Sequence, residues 1–470
     1  MNSRLCLLLR PSWLFGNRFC AKYSMQKLAV EPRQPTTIKL NMPPEFHSVF
    51  TPELKKLMNI FVKHNHEFRI VGGAVRDLLM KKFPVEIDCA STATPEQMKE
   101  MFLKEKVEIL QNKGESHGTV FIRMGEDRTF QITTLRIDVA TDGRHAIVKF
   151  TKDWAVDACR RDFTINTMSL DCNGTVYDYF NGIEDVNKRV LRFLGDPAMR
   201  IKEDFLRILR YFRFYGRVAK DANSHDPEVL KAIKDNAEGI SEISGQRIWK
   251  EVRKILNGNF SFEIMKTMLE VGLAPHIGLP SDLNLNEFNA LRERVCDVLD
   301  PIVIMASFLK NTDEMKALDD RYNLTKRERD LGCFIMSHRD DKLDADSLHK
   351  YKELVVVTKN NYYRIREMIE QVLTYRGEEK LLLEFKNWNA PRVPVTKDHL
   401  LDRGMKEGKL FDEVLLEMKR RWFNSGFTLS DKALLVDFDD IYHQLLDEGL
   451  NKGKRKKKKY AKRALNSEFY

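Results

Sequence analysis

At 470 residues, 43% of them hydrophobic and 31% charged, the chain is long enough for two to four domains and a sizeable buried core, which excludes a short peptide or a wholly disordered tail protein. The formal net charge of +10 resides at the ends, because residues 1–30 carry five basic residues and no acid, and residues 451–470 carry a net +8. Residues 31–450 therefore sum to −3, so that any nucleic-acid surface in the middle of the chain must be a local patch.

The cysteines and the hydropathy narrow the class of protein further. Seven cysteines, an odd number, are scattered along the chain and never form a CxxC pair. This pattern indicates a reducing compartment and argues against structural zinc or a disulfide framework. No apolar run approaches membrane-spanning length, so we expect no membrane partner.

Both ends of the chain have the composition of targeting or solvated segments. Residues 1–40 are interpreted as a mitochondrial transit peptide or a disordered start, because arginines alternate with Leu, Trp and Phe in residues 1–30, which contain no acid. Met25 could serve as a second start that lacks most of this signal, which would give a cytoplasmic or nuclear form. Residues 451–470 are predicted to be a basic disordered tail, with a lysine-rich run typical of nuclear localisation or RNA affinity.

The first structured elements are a helix over residues 45–66 and, after it, a strand, a turn and a helix. Phe68–Val71 is a short strand-forming run, Gly72 and Gly73 allow a close backbone turn, and Ala74–Met80 favours a helix. The N–H groups at that helix start would face outward and could hold an anion. An ordinary turn is the alternative when this stretch is taken alone.

Two carboxylates follow after a break at Pro84. If Val85–Asp88 is a strand, its alternation places Ile87 in the core and both Glu86 and Asp88 on the outer face. Neighbouring carboxylates repel unless a cation lies between them, and hard oxygen ligands together with substrate phosphates suit Mg²⁺. The pattern thus predicts a phosphate-binding turn beside a metal pair, with a solvated strand face as the alternative.

A mixed sheet is predicted to continue to about residue 180. Thr94 starts a helix with a capping box, because Gln97 follows three residues later and Pro95 occupies the first helical position. Four short strand-forming runs come next: Val107–Leu110, Thr119–Arg123, Phe130–Leu135 and Ile147–Phe150. From Ile201 to residue 450 the hydrophobic period is helical, which predicts an all-α remainder.

A second cluster of polar residues lies between Arg160 and Asn166. The adjacent guanidinium groups of Arg160 and Arg161 could clamp triphosphate oxygens, while Asp162 and Asn166 offer an acceptor and a donor to ribose hydroxyls. Ordinary charge pairing at a solvated helix start is the alternative.

A third cluster lies on a predicted helix over residues 201–213. One face of this helix is apolar and must be core: Ile201, Phe205, Ile208, Leu209 and Phe212. Asp204 and Arg207 would sit together at its edge, three residues apart. The alternative is a simple intrahelical ion pair.

Taken in order, these stretches resemble the class II tRNA nucleotidyltransferases, the CCA-adding enzymes that share a family with bacterial poly(A) polymerases, and within it the eukaryotic mitochondrial type. The resemblance covers roughly residues 45–280. Its motifs are Gly72-Gly73-Ala74-Val75-Arg76-Asp77 with Glu86 and Asp88, the flexible loop Asp142–His145, Arg160-Arg161-Asp162 to Asn166, the head-to-neck joint Asp178–Arg192, Glu203-Asp204 with Arg207 and Arg210, and the neck helix Ile243–Leu256.

The resemblance implies an α+β fold, with a nucleotidyltransferase mixed-sheet head followed by an all-α neck, body and tail. The implied boundaries are 41–190 for the catalytic head, 191–275 for the neck that reads the base, and 276–450 for the body and tail that bind tRNA. Glu86 and Asp88 are implied to be catalytic metal ligands for Mg²⁺. The nucleotide-binding residues implied are Gly72, Gly73, Arg76, Asp77, Arg160, Arg161, Asp162, Asn166, Asp204, Arg207 and Arg210.

The predicted reaction is attack of the 3′-hydroxyl of tRNA on the α-phosphorus of CTP or ATP. Cytosine and adenine both present an amine donor beside a ring-nitrogen acceptor, whereas uracil and guanine present the reverse order. A fixed carboxylate (Asp204) beside a guanidinium (Arg207) therefore matches C and A without a template. The partners would be tRNA, bound at its 3′ end and acceptor region, together with CTP and ATP; the oligomeric state stays open.

Two positions depart from the family pattern. Relatives usually carry Asp where this chain has Glu86, and an acid where it has Gln131. They keep open a catalytically silent RNA-binding protein with the same fold. A second alternative, within the family, is a poly(A) polymerase or a partial CC- or A-adding enzyme.

Overall fold

The computed structural model describes residues 33–40, 48–110, 118–126, 128–141, 146–295, 299–342, 347–358 and 362–447. Three predictions made above lie outside these residues: residues 1–32 of the transit peptide with Met25, the flexible loop Asp142–His145, and the basic tail at residues 451–470.

The described strands all precede residue 180. They are β1 (Thr36–Lys39), β2 (Phe68–Val71), β3 (Asp88–Ser91), β4 (Glu108–Leu110), β5 (Thr119–Met124), β6 (Arg128–Thr134), β7 (Arg136–Thr141), β8 (Ala146–Phe150), β9 (Ser169–Leu170) and β10 (Thr175–Asp178).

Helices lie between these strands and make up the regular structure after them. In the sheet region they are α1 (Pro52–Lys63), α2 (Gly73–Leu79), α3 (Pro95–Lys104) and α4 (Trp154–Cys159), with a 3₁₀ turn at Thr164–Asn166. The following helices are α5 (Gly182–Lys188), α6 (Pro197–Glu203), α7 (Leu206–Val218), α8 (Pro227–Asp235), α9 (Gly245–Leu256) and α10 (Ser261–Glu270), with a 3₁₀ turn at Ala237–Glu242.

The helices after residue 280 are α11 (Leu285–Arg294), α12 (Pro301–Ser307), α13 (Thr312–Tyr322), α14 (Lys326–His338), α15 (Ser347–Val357), α16 (Tyr362–Tyr375), α17 (Glu379–Asn387), α18 (Lys397–Leu401), α19 (Lys409–Asn424) and α20 (Asp431–Val436). Across the described residues no helix is long and apolar enough to cross a membrane.

Eight strands form one mixed sheet in the order β1-β10-β9-β2-β3-β6-β5-β4, and β7 pairs with β8 as a separate ribbon. Within the eight-stranded sheet only β3 and β6 run parallel among the described pairs, and their register places Asp88 opposite Gln131. Val71 on β2, Ala90 on β3 and Trp154 on α4 are buried together, so an apolar contact fixes α4 against the two strands that carry the site.

The chain divides into two compact units. The first runs to Ser281 and includes Arg321–Asn323, and the second contains Asp282–Asp320 and the residues from Leu324 onward. The first unit holds the mixed sheet and helices α1 to α10, and the regular elements described in the second unit are all helices. The predicted α+β fold is confirmed, whereas the boundaries at 190 and 275 stay predictions.

The local predictions near the start of the sheet are confirmed in part. The capping box at Thr94 is present, with its hydroxyl accepting from the Gln97 N–H. The helix over 45–66 is shorter than predicted and covers Pro52–Lys63 within the described residues. Strands β1, β7, β9 and β10 were missed, because each is short or follows directly on another strand without a turn signal.

Two predictions in the sheet and its neighbouring helix are wrong. Strand β3 begins at Asp88 instead of Val85, and Ile87 is only half-buried, since the preceding residues pair with no strand. The single helix over 201–213 is interrupted: α6 ends at Glu203, Asp204 is extended at φ −157° and ψ 105°, and α7 begins at Leu206. Phe205, placed at this interruption, is half-buried and does not belong to the fully buried face.

Candidate active site

One cavity of about 950 Å³ in the first unit gathers all the catalytic and nucleotide-binding residues predicted from the sequence. Its walls come from the turn before α2, the segment before β3, the segment after α4, the α6–α7 interruption and one face of α7. The thirteen predicted site residues that line it are Gly72, Gly73, Arg76, Asp77, Glu86, Asp88, Arg160, Arg161, Asp162, Asn166, Asp204, Arg207 and Arg210. Residues more than 130 positions apart thus meet in one place.

The glycine turn lets an arginine approach the backbone closely. Gly72 has φ +69°, and its N–H donates to the Met168 carbonyl at 3.1 Å. A Cβ atom at Gly72 would lie 2.6 Å from Nη1 of Arg161. Only glycine therefore combines this left-handed conformation with the space that the guanidinium occupies.

The two carboxylates lie at the start of β3, where the irregular segment meets the sheet. Desolvation raises the pKa of Asp88, the neighbouring Glu86 charge raises it further, and Arg161 opposes both. Glu86 precedes the strand, and both it and Asp88 keep exposed surface toward the cavity. Two hard oxygen ligands that repel each other suit a divalent cation shared with substrate phosphates. The described residues contain no cluster of three or more His, Cys, Asp or Glu side chains able to hold a metal by themselves.

A buried carboxylate missed by the sequence analysis holds the arginine pair. Asp157 on α4 is 3% exposed and accepts from Nε of Arg160 at 3.0 Å, while its other oxygen lies 3.5 Å from Nη2 of Arg161. Burial by itself would raise the pKa of Asp157, but the charges of Arg160 and Arg161 outweigh it and lower the pKa. The spacing of three and four residues on a helix was the signal that could have revealed this contact.

A second buried carboxylate connects α2 with α7. Oδ1 of Asp77 accepts from Nε and Nη2 of Arg76 at 3.0 and 2.8 Å, and Oδ2 accepts from Nη2 of Arg217 at 2.5 Å. Asp77 and Arg76 are each 2% exposed. Arg217 was also missed, because its partner is 140 positions away and no local pattern announces it.

The same network continues to the opposite end of the cavity. Nη1 of Arg76 donates to Oδ1 of Asn166 at 2.8 Å, and Nδ2 of Asn166 donates to Oδ1 of Asp162 at 3.1 Å. Oδ2 of Asp162 in turn accepts from Nε of Arg210 at 2.6 Å. Burial alone would raise the pKa of Asp162, but the Arg210 charge and the Asn166 hydrogen bond outweigh it and lower the pKa. Unbroken hydrogen bonds therefore join α2, the 3₁₀ turn and α7.

Asp204 and Arg207 are each fixed by a different neighbour. Oδ1 of Asp204 accepts from the Leu206 N–H at 3.1 Å, and Oδ2 lies 3.4 Å from Nη2 of Arg247 on α9. Nη1 of Arg207 donates to Oε2 of Glu203 at 2.6 Å. The break in the helix thus turns the carboxylate and the guanidinium into the same cavity with separate supports.

Comparison with known proteins agrees with this geometry. The sequence matches the family described as "Poly A polymerase head domain" over residues 68–192 and the one described as "Probable RNA and SrmB- binding site of polymerase A" over residues 225–280. It is 43% identical over 424 residues to "CCA tRNA nucleotidyltransferase 1, mitochondrial" of Mus musculus, a match that covers 89% of this chain and 97% of the mouse protein. The Homo sapiens protein of the same name is 45% identical over 404 residues, covering 85% and 92% of the two chains.

The fold is also similar to a solved structure. The CCA-adding enzyme of Bacillus stearothermophilus in complex with CTP superposes with a TM-score of 0.63, covering 88% of this chain and 100% of that one. The two sequences are 22% identical, a level at which the likeness concerns the fold.

Proposed function

The chain belongs to the CCA tRNA nucleotidyltransferase family, and on that premise we propose how its own residues divide the work of the reaction. The enzyme adds cytidine, cytidine and adenosine to the 3′ end of tRNA without a nucleic-acid template, consuming CTP and ATP. In each step the tRNA 3′-hydroxyl attacks the α-phosphorus, and pyrophosphate leaves with the electrons of the broken P–O bond. The observation that carries the assignment of residues is the single cavity lined by all thirteen of them.

The carboxylates of Glu86 and Asp88 would hold the divalent metal that enzymes of this family use, and we assign it as Mg²⁺. The donor set fits, because two hard oxygen ligands stand close enough for the charge of Glu86 to raise the pKa of Asp88. Mg²⁺ bound there supplies positive charge that lowers the pKa of the attacking hydroxyl and neutralises the leaving group.

The arginine pair would bind the triphosphate. Asp157 holds Arg160 and Arg161 in place before any nucleotide arrives, so that little side-chain entropy remains to be lost on binding. Arg161 lies against the Gly72 turn, which brings its charge and the backbone of the turn to the same phosphates. Positioning and electrostatics of this kind can carry most of the rate of phosphoryl transfer.

The buried network would orient the sugar. Asp162 and Asn166 face the cavity with a carboxylate acceptor and an amide group, the two kinds of partner that ribose hydroxyls need. Arg76 and Asp77 satisfy each other and are almost fully buried, so we assign them a positioning role behind these residues. Arg210 supports Asp162 from α7 in the same way.

The base would be read by Asp204 and Arg207 at the α6–α7 interruption. A carboxylate accepts from the exocyclic amine that cytosine and adenine share, and a guanidinium donates to their ring nitrogen. Uracil and guanine present a donor to the guanidinium and an acceptor to the carboxylate, which leaves both pairs mismatched.

An assay with purified protein tests the activity together with its alternatives. The substrate is a tRNA transcript that ends at the discriminator nucleotide, supplied with Mg²⁺ and with CTP, ATP or both. We expect two C residues with CTP alone, and a clean stop after C-C-A with both nucleotides. Unlimited A addition would instead indicate a poly(A) polymerase, a stop after C-C a partial enzyme, and binding of tRNA without any product a silent RNA-binding protein.

Replacing Asp204 is expected to relax the choice of base. In Asp204→Asn the side-chain oxygen can still accept from the Leu206 N–H, but the new amide group can also donate to the base. The ratio of kcat/KM for CTP to kcat/KM for UTP should therefore fall roughly 10–100-fold. This fall corresponds to the loss of about 1–3 kcal/mol for a bidentate base contact. Single-turnover addition of each nucleotide measures this ratio.

Asp196→Ala is the matched control for Asp204. It removes a carboxylate cap from the start of α6, outside the cavity, and should cost about 1 kcal/mol of stability while nucleotide choice is retained. An unchanged CTP-to-UTP ratio in Asp204→Asn would argue against base reading by this residue.

For the location in the cell we propose the mitochondrion, with a second, cytoplasmic or nuclear form that starts at Met25. The acid-free arginine pattern of the first 30 residues and the mitochondrial names of the mouse, human and zebrafish relatives support the first part. Fluorescent fusions that start at Met1 or at Met25 would separate the two forms.

A further inference from the structure

Two neighbouring helices, α2 and α5, end with a basic residue at a position that usually belongs to glycine. Lys81 follows α2 with φ +56°, and Arg189 follows α5 with φ +61°. Each helix ends with the same type of backbone hydrogen bond, donated by the residue that follows the left-handed position. Lys82 N–H donates to the Asp77 carbonyl at 2.8 Å, and Val190 N–H donates to the Asp185 carbonyl at 2.9 Å. Glycine is favoured at this left-handed position, because any side chain there is strained.

The positive charges at these two helix ends lie close together. The amino group of Lys82 lies 3.5 Å from the Arg217 carbonyl. Loss of hydration lowers the pKa of Lys82, and the charges of Arg189 and Arg217 lower it further. Lys220 is exposed three residues beyond Arg217. Like charges collected in this way are relieved by an anion.

The two acids nearest the ends of α2 and α5 have other partners. Asp77 is occupied by Arg76 and Arg217, and Asp185 accepts from the Thr164 hydroxyl at 2.5 Å. Within the described part of the chain, no ion pair reaches the side chains of Lys81, Lys82, Arg189 and Lys220.

These residues connect two cavities of the first unit. Lys82 lines the candidate active site, whereas Arg189 and Lys220 line a second cavity of about 780 Å³ whose wall includes Tyr211 and Tyr215. Asp221, Asp226 and Glu228 also line the second cavity, but no ion pair joins them to Arg189 or Lys220 in the described residues. Lys82 contacts the carbonyl of Arg217, three residues before Lys220, so cations from both cavities meet near the end of α7.

We propose that Lys81, Lys82, Arg189 and Lys220, which we call the basic strip, bind backbone phosphates of the tRNA acceptor end and lead its 3′ terminus to Asp88. The proposal rests on the proposed function, since it names a surface for the same tRNA. A row of unneutralised cations beside a cavity that must admit a single-stranded 3′ end matches the charge of an RNA backbone. The attraction of a basic side chain to the negative end of a helix dipole does not explain why Lys81 and Arg189 occupy left-handed positions. Glycine would end each helix there without strain.

The double variant Arg189→Gly with Lys220→Ala tests the strip outside the candidate active site. Glycine at 189 removes the charge and also relieves the left-handed strain, so the melting temperature should be unchanged or higher. The Kd for tRNA lacking its CCA end, measured by fluorescence anisotropy, should rise roughly tenfold, because two cations that contact backbone phosphates are removed. The slope of log Kd against log salt should become shallower by about 1 for each lost contact.

Kinetics separate binding along the strip from catalysis. The KM for tRNA should rise in the double variant, while the KM for CTP and the kcat at saturating tRNA stay within about twofold of the unsubstituted enzyme. Lys56→Ala with Lys104→Ala is the matched control, because it removes two exposed lysines from α1 and α3 that line neither cavity. The control should leave the Kd and its salt slope unchanged.

Two results would overturn the proposal. The first is a double variant whose Kd for tRNA and salt slope are unchanged. The second is a double variant that binds tRNA normally but is inhibited less by pyrophosphate, which would mean that the basic strip binds the leaving group. Both are distinct from failure of the proposed function, because tRNA binding is measured without catalysis, and the function fails only if the unsubstituted protein adds no CCA.

Discussion

Replacing Asp88 by asparagine is expected to lower kcat for C addition at least about a thousandfold, the largest loss of activity that we predict. The amide keeps the shape of the carboxylate but loses the charge needed to hold a divalent cation beside Glu86. Single-turnover incorporation from CTP measures the loss. The Kd for tRNA should stay close to that of the unsubstituted enzyme, because the phosphate contacts remain.

The same substitution is expected to leave the fold intact or make it more stable. The pKa of Asp88 is raised in the folded protein, so its contribution to stability is complete below the unfolded pKa and is lost as the pH rises through the folded pKa. At pH 7 without divalent metal, the ionised carboxylate therefore opposes folding, and the asparagine variant should melt at an equal or higher temperature.

Glu100→Gln serves as the control for Asp88→Asn, since it neutralises an exposed carboxylate on α3 and should retain full activity. Retention of more than about a tenth of kcat by Asp88→Asn would contradict the metal-binding role, given the size of effect expected for metal catalysis. A lowered melting temperature would instead assign Asp88 a structural role.

Replacing Asp77 by alanine is expected to cost about 3–5 kcal/mol of the free energy of unfolding, the largest loss of stability that we predict. Among the described residues, the change leaves the Arg76 guanidinium, 2% exposed, with only Oδ1 of Asn166 as its hydrogen-bond partner. It also frees Arg217 and breaks the connection between α2 and α7. Urea denaturation, followed over the unfolding transition of the first unit, measures the lost free energy of unfolding.

A double-mutant cycle identifies the source of that cost. Arg217→Ala alone should be milder, because Asp77 keeps Arg76, and the coupling energy between Asp77 and Arg217 should fall within about 0.5–3 kcal/mol. Glu184→Ala, which removes an exposed ion pair with Lys188, is the control and should leave the free energy of unfolding nearly unchanged. A loss for Asp77→Ala as small as that of the control would rule out the positioning role.

Much of the candidate site could be predicted because its residues come in short runs. The glycine turn before α2, the arginine pair after α4 and the acid–arginine set around Asp204 each occupy fewer than ten positions. Their order in the sequence identified the family, and all of them line one cavity. What the sequence could not supply was which side chains touch substrate and which hold others in place.

That distinction depends on contacts between distant segments. Arg217 reaches Asp77 across 140 positions, and Arg247 on α9 reaches Asp204 across 43, so neither partner leaves a periodic signal. The interruption of the helix at Asp204 could not be predicted, because the apolar spacing over residues 201–213 fits one continuous helix. An extended residue between two helices is set by tertiary packing and by the Leu206 cap.

The departure at Glu86 has a physical explanation that the sequence did not offer. On a regular strand, an acid that is one methylene longer would displace the metal unless the strand adjusted. The strand begins only at Asp88, and Glu86 stands in irregular backbone where no ladder fixes its position. The backbone can therefore absorb one extra methylene before the ladder starts.

The order of the mixed sheet has a consequence for how the protein is made. The edge strand β1 pairs with β10, and its register joins Thr36 to Asp178. At about 5–20 residues per second, a ribosome needs on the order of ten seconds to make the segment between these partners. During this time β1 has no partner from its own sheet, and its edges stay unpaired unless other parts of the nascent chain or a chaperone cover them. Synthesis of the catalytic sheet is thus complete only when Asp178 leaves the ribosome, and a pause placed before that point would prolong exposure of an unpaired edge strand.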